Sequence, residues 1–131
     1  MMRLLLDTHI LIWWLTGDRK LSKNIVALLA SEESDVAVSA AAIWEIAIKR
    51  GLGRIDIDMD ELLTAISADG FAELPVRFVH SSRLESLPRH HDDPFDRMQI
   101  AQAIVEGRRL VSRDQMVLAY SGIAGFDPLP A

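Results

Sequence analysis

Cysteine is absent from the 131 residues, which excludes a disulfide framework and any thiolate metal site and leaves the fold to stand on packing. An excess of basic residues is missing too: 14 Lys and Arg stand against 19 Asp and Glu, a formal charge of −5. Proteins that coat nucleic acid through its phosphates normally carry the opposite balance, so any nucleic-acid site in this chain must be local. Long apolar runs are also lacking. The longest, Val36 to Trp44, is about half the length needed to cross a bilayer and is interrupted by Ser39. At the N-terminus only Leu4 to Leu6 separate Arg3 from Asp7, too short an apolar run for a signal peptide's central region. The expectation is a soluble, cytoplasmic protein with no membrane association.

What is present is apolar material in quantity. Half of the residues are hydrophobic (50%), enough for a proper core in one domain spanning residues 1–131. Leu4–Leu6 ending in Asp7 reads as a short buried strand, and Thr8-His9 then opens a helix through Leu15, closed by Thr16-Gly17. Ser22 to Glu33 alternates at helical spacing, with Ile25, Val26, Leu28 and Leu29 on one side. Asp35–Val38 is short and β-branched, so it reads as a second strand, after which Ser39 caps a helix from Ala40 to Arg50 that Gly51 and Gly53 end. Asp60–Asp69 reads as a helix, Ala72–Val76 as a strand that Pro75 pushes to an edge, and Val79–Leu87 as a helix stopped by Pro88. Asp93-Pro94 starts a helix through Val105, Gly107 ends it, and Arg109–Ser112 follows as a strand. Asp114–Ala119 restarts as helix, and Ile123–Leu129 reads as a last short strand. Strands alternating with helices predict an α/β domain whose mostly parallel sheet is covered on both faces.

Carboxylates fall where ligands gather in such folds. Asp7 closes the first strand, Asp114 follows the Arg109–Ser112 strand by two residues, and Asp96 sits in the first turn of the helix before that strand. Glu45 is the only charged residue in the nine-residue stretch Ala40 to Ile48. Burying a carboxylate is unfavourable without a partner or cation, so a cluster of them is most easily kept ionised by bound metal. Each acid also has an ordinary structural use: Asp7, Asp93 and Asp114 can cap helices, Asp96 can serve the dipole of its own helix, and Glu45 can pair with Lys49 along an exposed stripe. Oxygen ligands without His or Cys point to Mg²⁺ or Mn²⁺ rather than zinc. Two such ions would balance four carboxylates, and together they can activate water and stabilise a phosphodiester transition state.

Leu5-Leu6-Asp7-Thr8-His9, the Ser39–Lys49 helix with Glu45, Asp93-Pro94-Phe95-Asp96-Arg97 with Ile100-Ala101-Gln102-Ala103, and Leu110-Val111-Ser112-Arg113-Asp114 occur in the order of the PIN-domain family, which the chain resembles. In length and motif spacing it is similar to toxins of the VapC type. The resemblance implies a three-layer α/β/α domain, Mg²⁺- or Mn²⁺-dependent endoribonuclease activity, homodimerisation and neutralisation by a small antitoxin. It carries the family's acids onto Asp7, Glu45, Asp96 and Asp114, as metal ligands and catalytic residues. Ser112 stands where many relatives have Thr, and Arg113 beside Asp114 offers that acid an ion pair instead of a metal.

Other features have competing uses. His90-His91-Asp92-Asp93 is better read as a solvated loop rimming the cleft than as a zinc site, which needs convergent ligands. Arg89, Arg97, Arg108, Arg109 and Arg113 bracket the acids and could hold RNA phosphates or simply form charged surface. Adjacent Trp13 and Trp14 cannot both face the core from one helix, so one of them either meets a partner or lies under a neighbouring helix. An aspartyl-nucleophile phosphatase or phosphotransferase is the enzymatic rival, disfavoured by His9 where such enzymes place a second acid. A PIN-like fold kept only for binding is the non-catalytic one.

Overall fold

Leu4, Leu5 and Leu6 are fully buried because β1 (Arg3–Leu6) runs up the middle of a five-stranded sheet, in a computed structural model that describes residues 1–131. The strand order is β3-β2-β1-β4-β5 and every neighbouring pair is parallel, with Leu5 opposite Ala37 of β2 (Asp35–Ser39) and Leu110 of β4 (Arg109–Ser112). Parallel strands need crossovers, and helices supply them: α1 (Thr8–Thr16) and α2 (Lys23–Ala30) before β2, and α3 (Ala40–Gly51) and α4 (Met59–Ala68) before β3 (Ala72–Leu74). α5 (Phe78–Arg83) and α6 (Pro94–Glu106) precede β4, and α7 (Gln115–Leu118) precedes β5 (Leu129–Pro130).

The period-2 pleat sorts the core into two layers. Leu4, Leu6, Val36, Val38 and Val111 pack on one face with Ile10, Ile25, Leu29, Ile46, Leu62 and Ile66. Leu5, Ala37 and Leu110 pack on the other with Ile100, Ala103, Val117, Tyr120 and Phe126. Each fully buried aliphatic side chain stabilises the fold by about 1.5–3 kcal/mol. Helix starts are fixed locally: Ser22, Ser39, Asp58, Asp93 and Asp114 each accept a backbone N–H at the N-cap of the helix that follows. At the C-terminus of α6, Gly107 takes the left-handed conformation (φ 64°), so its N–H reaches back to the last turn.

Three elements differ from the sequence expectation. Ile123–Leu129 is not a strand: Gly122, Ala124 and Gly125 all have positive φ, which curls Ile123–Gly125 into a 3₁₀ turn and leaves only Leu129–Pro130 to pair with β4. The strand at residue 72 stops at Leu74, because Pro75 has no N–H for a ladder, and it does lie at the sheet edge. The helix before Pro88 is α5 followed by a separate 3₁₀ turn, Leu84–Ser86. The sheet is parallel throughout.

The topology fixes where a site can form. From β1 the chain moves to β2 and β3 on one side, then crosses to β4 and β5 on the other. Strand order therefore reverses between β1 and β4, and crevices at the carboxyl ends of such strands are where α/β sheets bind ligands. Asp7 follows β1 and Asp114 follows β4 at that crevice, and the start of α6 brings Asp96 to the same edge.

Candidate active site

Asp7 occupies the N-cap position of α1 yet makes no capping hydrogen bond. It is 3% exposed. Ser112 Oγ donates to its Oδ2 at 2.6 Å, and its Oδ1 is buried with no hydrogen-bond partner. Burial pushes this carboxyl above its ordinary range; the Ser112 bond and the nearby His9 oppose the rise, and the charges of Glu45 and Asp114 add to it.

Glu45 is also buried, 4% exposed. Thr8 Oγ1 donates to its Oε1 at 2.7 Å, and Gln99 Nε2 donates to the same hydroxyl at 3.1 Å. The pair with Lys49 forms, Nζ to Oε2 at 2.7 Å, at a buried carboxylate rather than on an exposed stripe.

Asp96 sits in the first turn of α6, placed there by Asp93, whose Oδ1 accepts from the N–H groups of Phe95 and Asp96 at 2.9 and 3.0 Å, while Pro94 sets the first helical φ. His91 Nε2 lies 2.7 Å from Asp96 Oδ2. Burial pushes the Asp96 carboxyl up to about 7, reinforced by the charges of Asp7, Asp93 and Glu45 and opposed by the His91 hydrogen bond. Asp7, Glu45 and Asp96 thus share one field.

Asp114 is half-buried and caps α7, its Oδ1 accepting from Met116 N at 2.9 Å. The ion pair with Arg113 does not form. Arg113 turns away, its Nε donating to Ala131 O at 2.9 Å, its NH2 group donating to Lys20 O, and its guanidinium 4.8 Å from the centre of the Trp13 ring.

A pattern runs through these contacts. In Asp7, Asp96 and Asp114 one carboxylate oxygen is held by a protein group and the other takes no hydrogen bond from the protein, whereas both oxygens of Glu45 are engaged. A desolvated, unpartnered oxygen among repelling carboxylates fits a hard divalent cation. The four acids are not drawn into one tight shell: the group of possible ligand atoms lying within 4.8 Å of one another is His91, Asp93 and Asp96.

His91, expected in a solvated loop, is half-buried against Asp96, a contact that nothing in the spacing of a charged loop reveals. Gln99 was missed as well, although it follows Asp96 by one helical turn and its burial repeats at Gln102, an i, i+3 stripe of polar side chains on an otherwise apolar face. Most of the bracketing arginines do not offer themselves to phosphate. Arg97 is 9% exposed and bonded to backbone carbonyls, Arg108 holds Asp35 and Leu4 O, and Arg109 holds Asp127 and Pro128 O. Arg89 stays exposed, 4.0 Å from Asp92. Trp13 and Trp14 are both half-buried and line a groove of about 620 Å³, with Trp14 Nε1 donating to Asp69 at 2.8 Å.

A parallel α/β/α domain with carboxylates gathered at its switch point defines a class of fold and site. The PIN domain model matches residues 4–122, a span containing Asp7, Glu45, Asp96 and Asp114, and the chain belongs to the PIN-domain family. Its fold is similar to that of a chain in VapBC2 from Rickettsia felis bound to a DNA fragment from their promoter (TM-score 0.72, 15% identity, 98% of each chain covered). It is similar also to VapBC-5 from Mycobacterium tuberculosis, a member of the VapBC family of toxin–antitoxin systems (TM-score 0.68, 16% identity, 100% of each chain). A toxin–antitoxin complex from Klebsiella pneumoniae has a further similar chain (TM-score 0.62, 22% identity, covering 97% of this chain and 98% of that one). No curated protein matches the chain in sequence.

Proposed function

We propose that this PIN domain, spanning residues 1–131, is a toxin of the VapC type: a divalent-metal-dependent endoribonuclease that hydrolyses RNA phosphodiester bonds in the cytoplasm and is restrained by an antitoxin. The observation that carries the reading is Asp7 Oδ1, a buried carboxylate oxygen with no partner, in the field of Glu45 and Asp114 and itself felt by Asp96. Asp7 and Asp96 would hold Mg²⁺ or Mn²⁺, with Asp114 and Glu45 as further ligands. When bound, the metal supplies Lewis acidity and an activated water for attack on phosphorus. The chain's own residues orient the site: Ser112 fixes Asp7, the Gln99–Thr8 relay fixes Glu45, and Asp93 fixes the first turn that carries Asp96. Lys49 pairs with Glu45 at 2.7 Å and offsets its charge.

The partners follow from the relatives and from the surface. The similar chains belong to toxin–antitoxin complexes, which supports an antitoxin, and no helix is long and apolar enough to cross a membrane. Phe78, 95% exposed, and Trp44, 63% exposed, leave apolar surface suited to a homodimer. The test is cleavage of a mixed RNA pool by purified protein with Mn²⁺, with EDTA, and by Asp7→Asn, beside a phosphomonoester. Cleavage with Mn²⁺ alone supports the reading. Full cleavage in excess EDTA refutes the metal, and turnover of the phosphomonoester without RNA cleavage refutes the nuclease.

A further inference from the structure

The Arg97 guanidinium is an unusual buried cation: no carboxylate pairs with it. Its NH1 donates to Pro88 O at 2.8 Å and to Tyr120 Oη at 3.0 Å, and its NH2 to Leu87 O at 3.1 Å and Leu84 O at 3.4 Å. The planar fork thus meets these three backbone carbonyls of the segment 84–91, which joins the Leu84–Ser86 turn to α6 and belongs to no sheet. Tyr120 is fully buried, and its hydroxyl is the node: it also accepts from His91 N at 3.0 Å. Arg97 lies one residue beyond Asp96 on α6, and Tyr120 follows α7, so the loop is tied at one point to the helix that carries the acid.

The end of this chain of contacts is His91 Nε2, 2.7 Å from Asp96 Oδ2. Holding that oxygen leaves Asp96 Oδ1 as the one without a protein partner. Carboxylates that ligate metals are commonly oriented by such outer hydrogen bonds, whose loss weakens metal binding by about 10–100-fold. We propose that His91 is a positioning residue of the acidic site, held on Asp96 by Arg97 and Tyr120, and that it fixes which oxygen of Asp96 faces the metal. This rests on the reading of the acids as a metal site. An alternative geometry, in which His91 is itself a ligand, would use the same 4.8 Å group with Asp93, but Asp93 Oδ1 already serves two backbone N–H groups.

Arg97 is too deeply bonded for truncation to be safe, so the test uses Tyr120→Phe, which keeps the ring and deletes the node, together with His91→Ala and the double variant. The readouts are the Mn²⁺ dissociation constant by titration calorimetry and the Tm of the metal-free proteins. Each single variant is expected to weaken Mn²⁺ binding by about 10-fold or more. The double variant is expected to match His91→Ala within about 2-fold, because residues acting through one contact are non-additive. A general loss of packing would lower Tm in both and multiply their effects on affinity. Wild-type Mn²⁺ affinity in Tyr120→Phe or His91→Ala, or multiplicative losses in the double variant, overturns the positioning role while leaving the metal site standing. Absence of Mn²⁺ binding by the wild type overturns both.

Discussion

Asp96→Asn should make the metal-free protein more stable at pH 8. The carboxyl is pushed from 3.8 to about 7 by burial and by its neighbours' charges, a difference equivalent to on the order of 4 kcal/mol at most, at ~1.4 kcal/mol per tenfold change in proton affinity. The folded-state value lies above the unfolded one, so between about 4 and about 7 the folded protein holds a proton that the unfolded chain has lost. This contribution to stability is therefore full below the unfolded value and disappears as pH rises through the folded one. Asparagine removes the ionisation. It also removes the charge from the bond to His91 and ~0.3–1 kcal/mol of interaction with the α6 dipole, which leaves a net gain of about 1–3 kcal/mol at pH 8, several degrees in Tm. Thermal unfolding in EDTA at pH 5 and pH 8 measures it. The variant's advantage should appear at pH 8 and shrink or reverse at pH 5, and Mn²⁺ at pH 8 should raise the Tm of wild type more than that of the variant. A variant equally destabilised at both pH values would refute the reasoning.

In RNA cleavage, Asp93→Asn should be nearly silent, since Asn caps as well as Asp, whereas Asp96→Asn should lose orders of magnitude; equal activity of the two in a gel assay would misplace the acid. Ca²⁺ should not replace Mg²⁺ or Mn²⁺, because its larger and looser shell fits the catalytic geometry poorly, as a single-turnover assay in each metal would report. His80→Leu should cost about 2–3 kcal/mol in denaturant unfolding with activity kept below the transition, because fully buried His80 accepts from Arg77 N at 2.9 Å and its Nε2 lies 2.8 Å from Glu106 Oε2.

What sequence could and could not convey divides by range. Leu4–Leu6, Asp35–Val38 and the Asp93-Pro94 start carry their own periodicity and caps, and they appear where the pattern puts them, within a residue or so. Ile123–Leu129 reads as a strand in sequence, but the positive φ at Gly122 and Gly125, visible only in three dimensions, curls its start into a 3₁₀ turn and leaves only Leu129 of it in the sheet. At the site, Asp7, Asp96 and Asp114 stood out by their places at strand ends and a helix start, and Glu45 by being the one charge in an apolar stretch. Their surroundings did not: Ser112 meets Asp7, and Gln99 meets Thr8, across spans of about a hundred residues that only the sheet order closes. For Arg97 the sequence left phosphate binding and plain charged surface equally open, and neither describes the buried guanidinium, because proximity in sequence says nothing about which way it turns.

The central claim is that the acids at the β1–β4 switch point hold a divalent metal, and an anomalous-scattering map from crystals grown with Mn²⁺ addresses it without reference to any substrate. A peak in contact with Asp7 Oδ1 and Asp96 Oδ1 is expected, and it should be lost in Asp7→Asn. A map with no peak beside Asp7, or with one confined to His91 and Asp93, would contradict it.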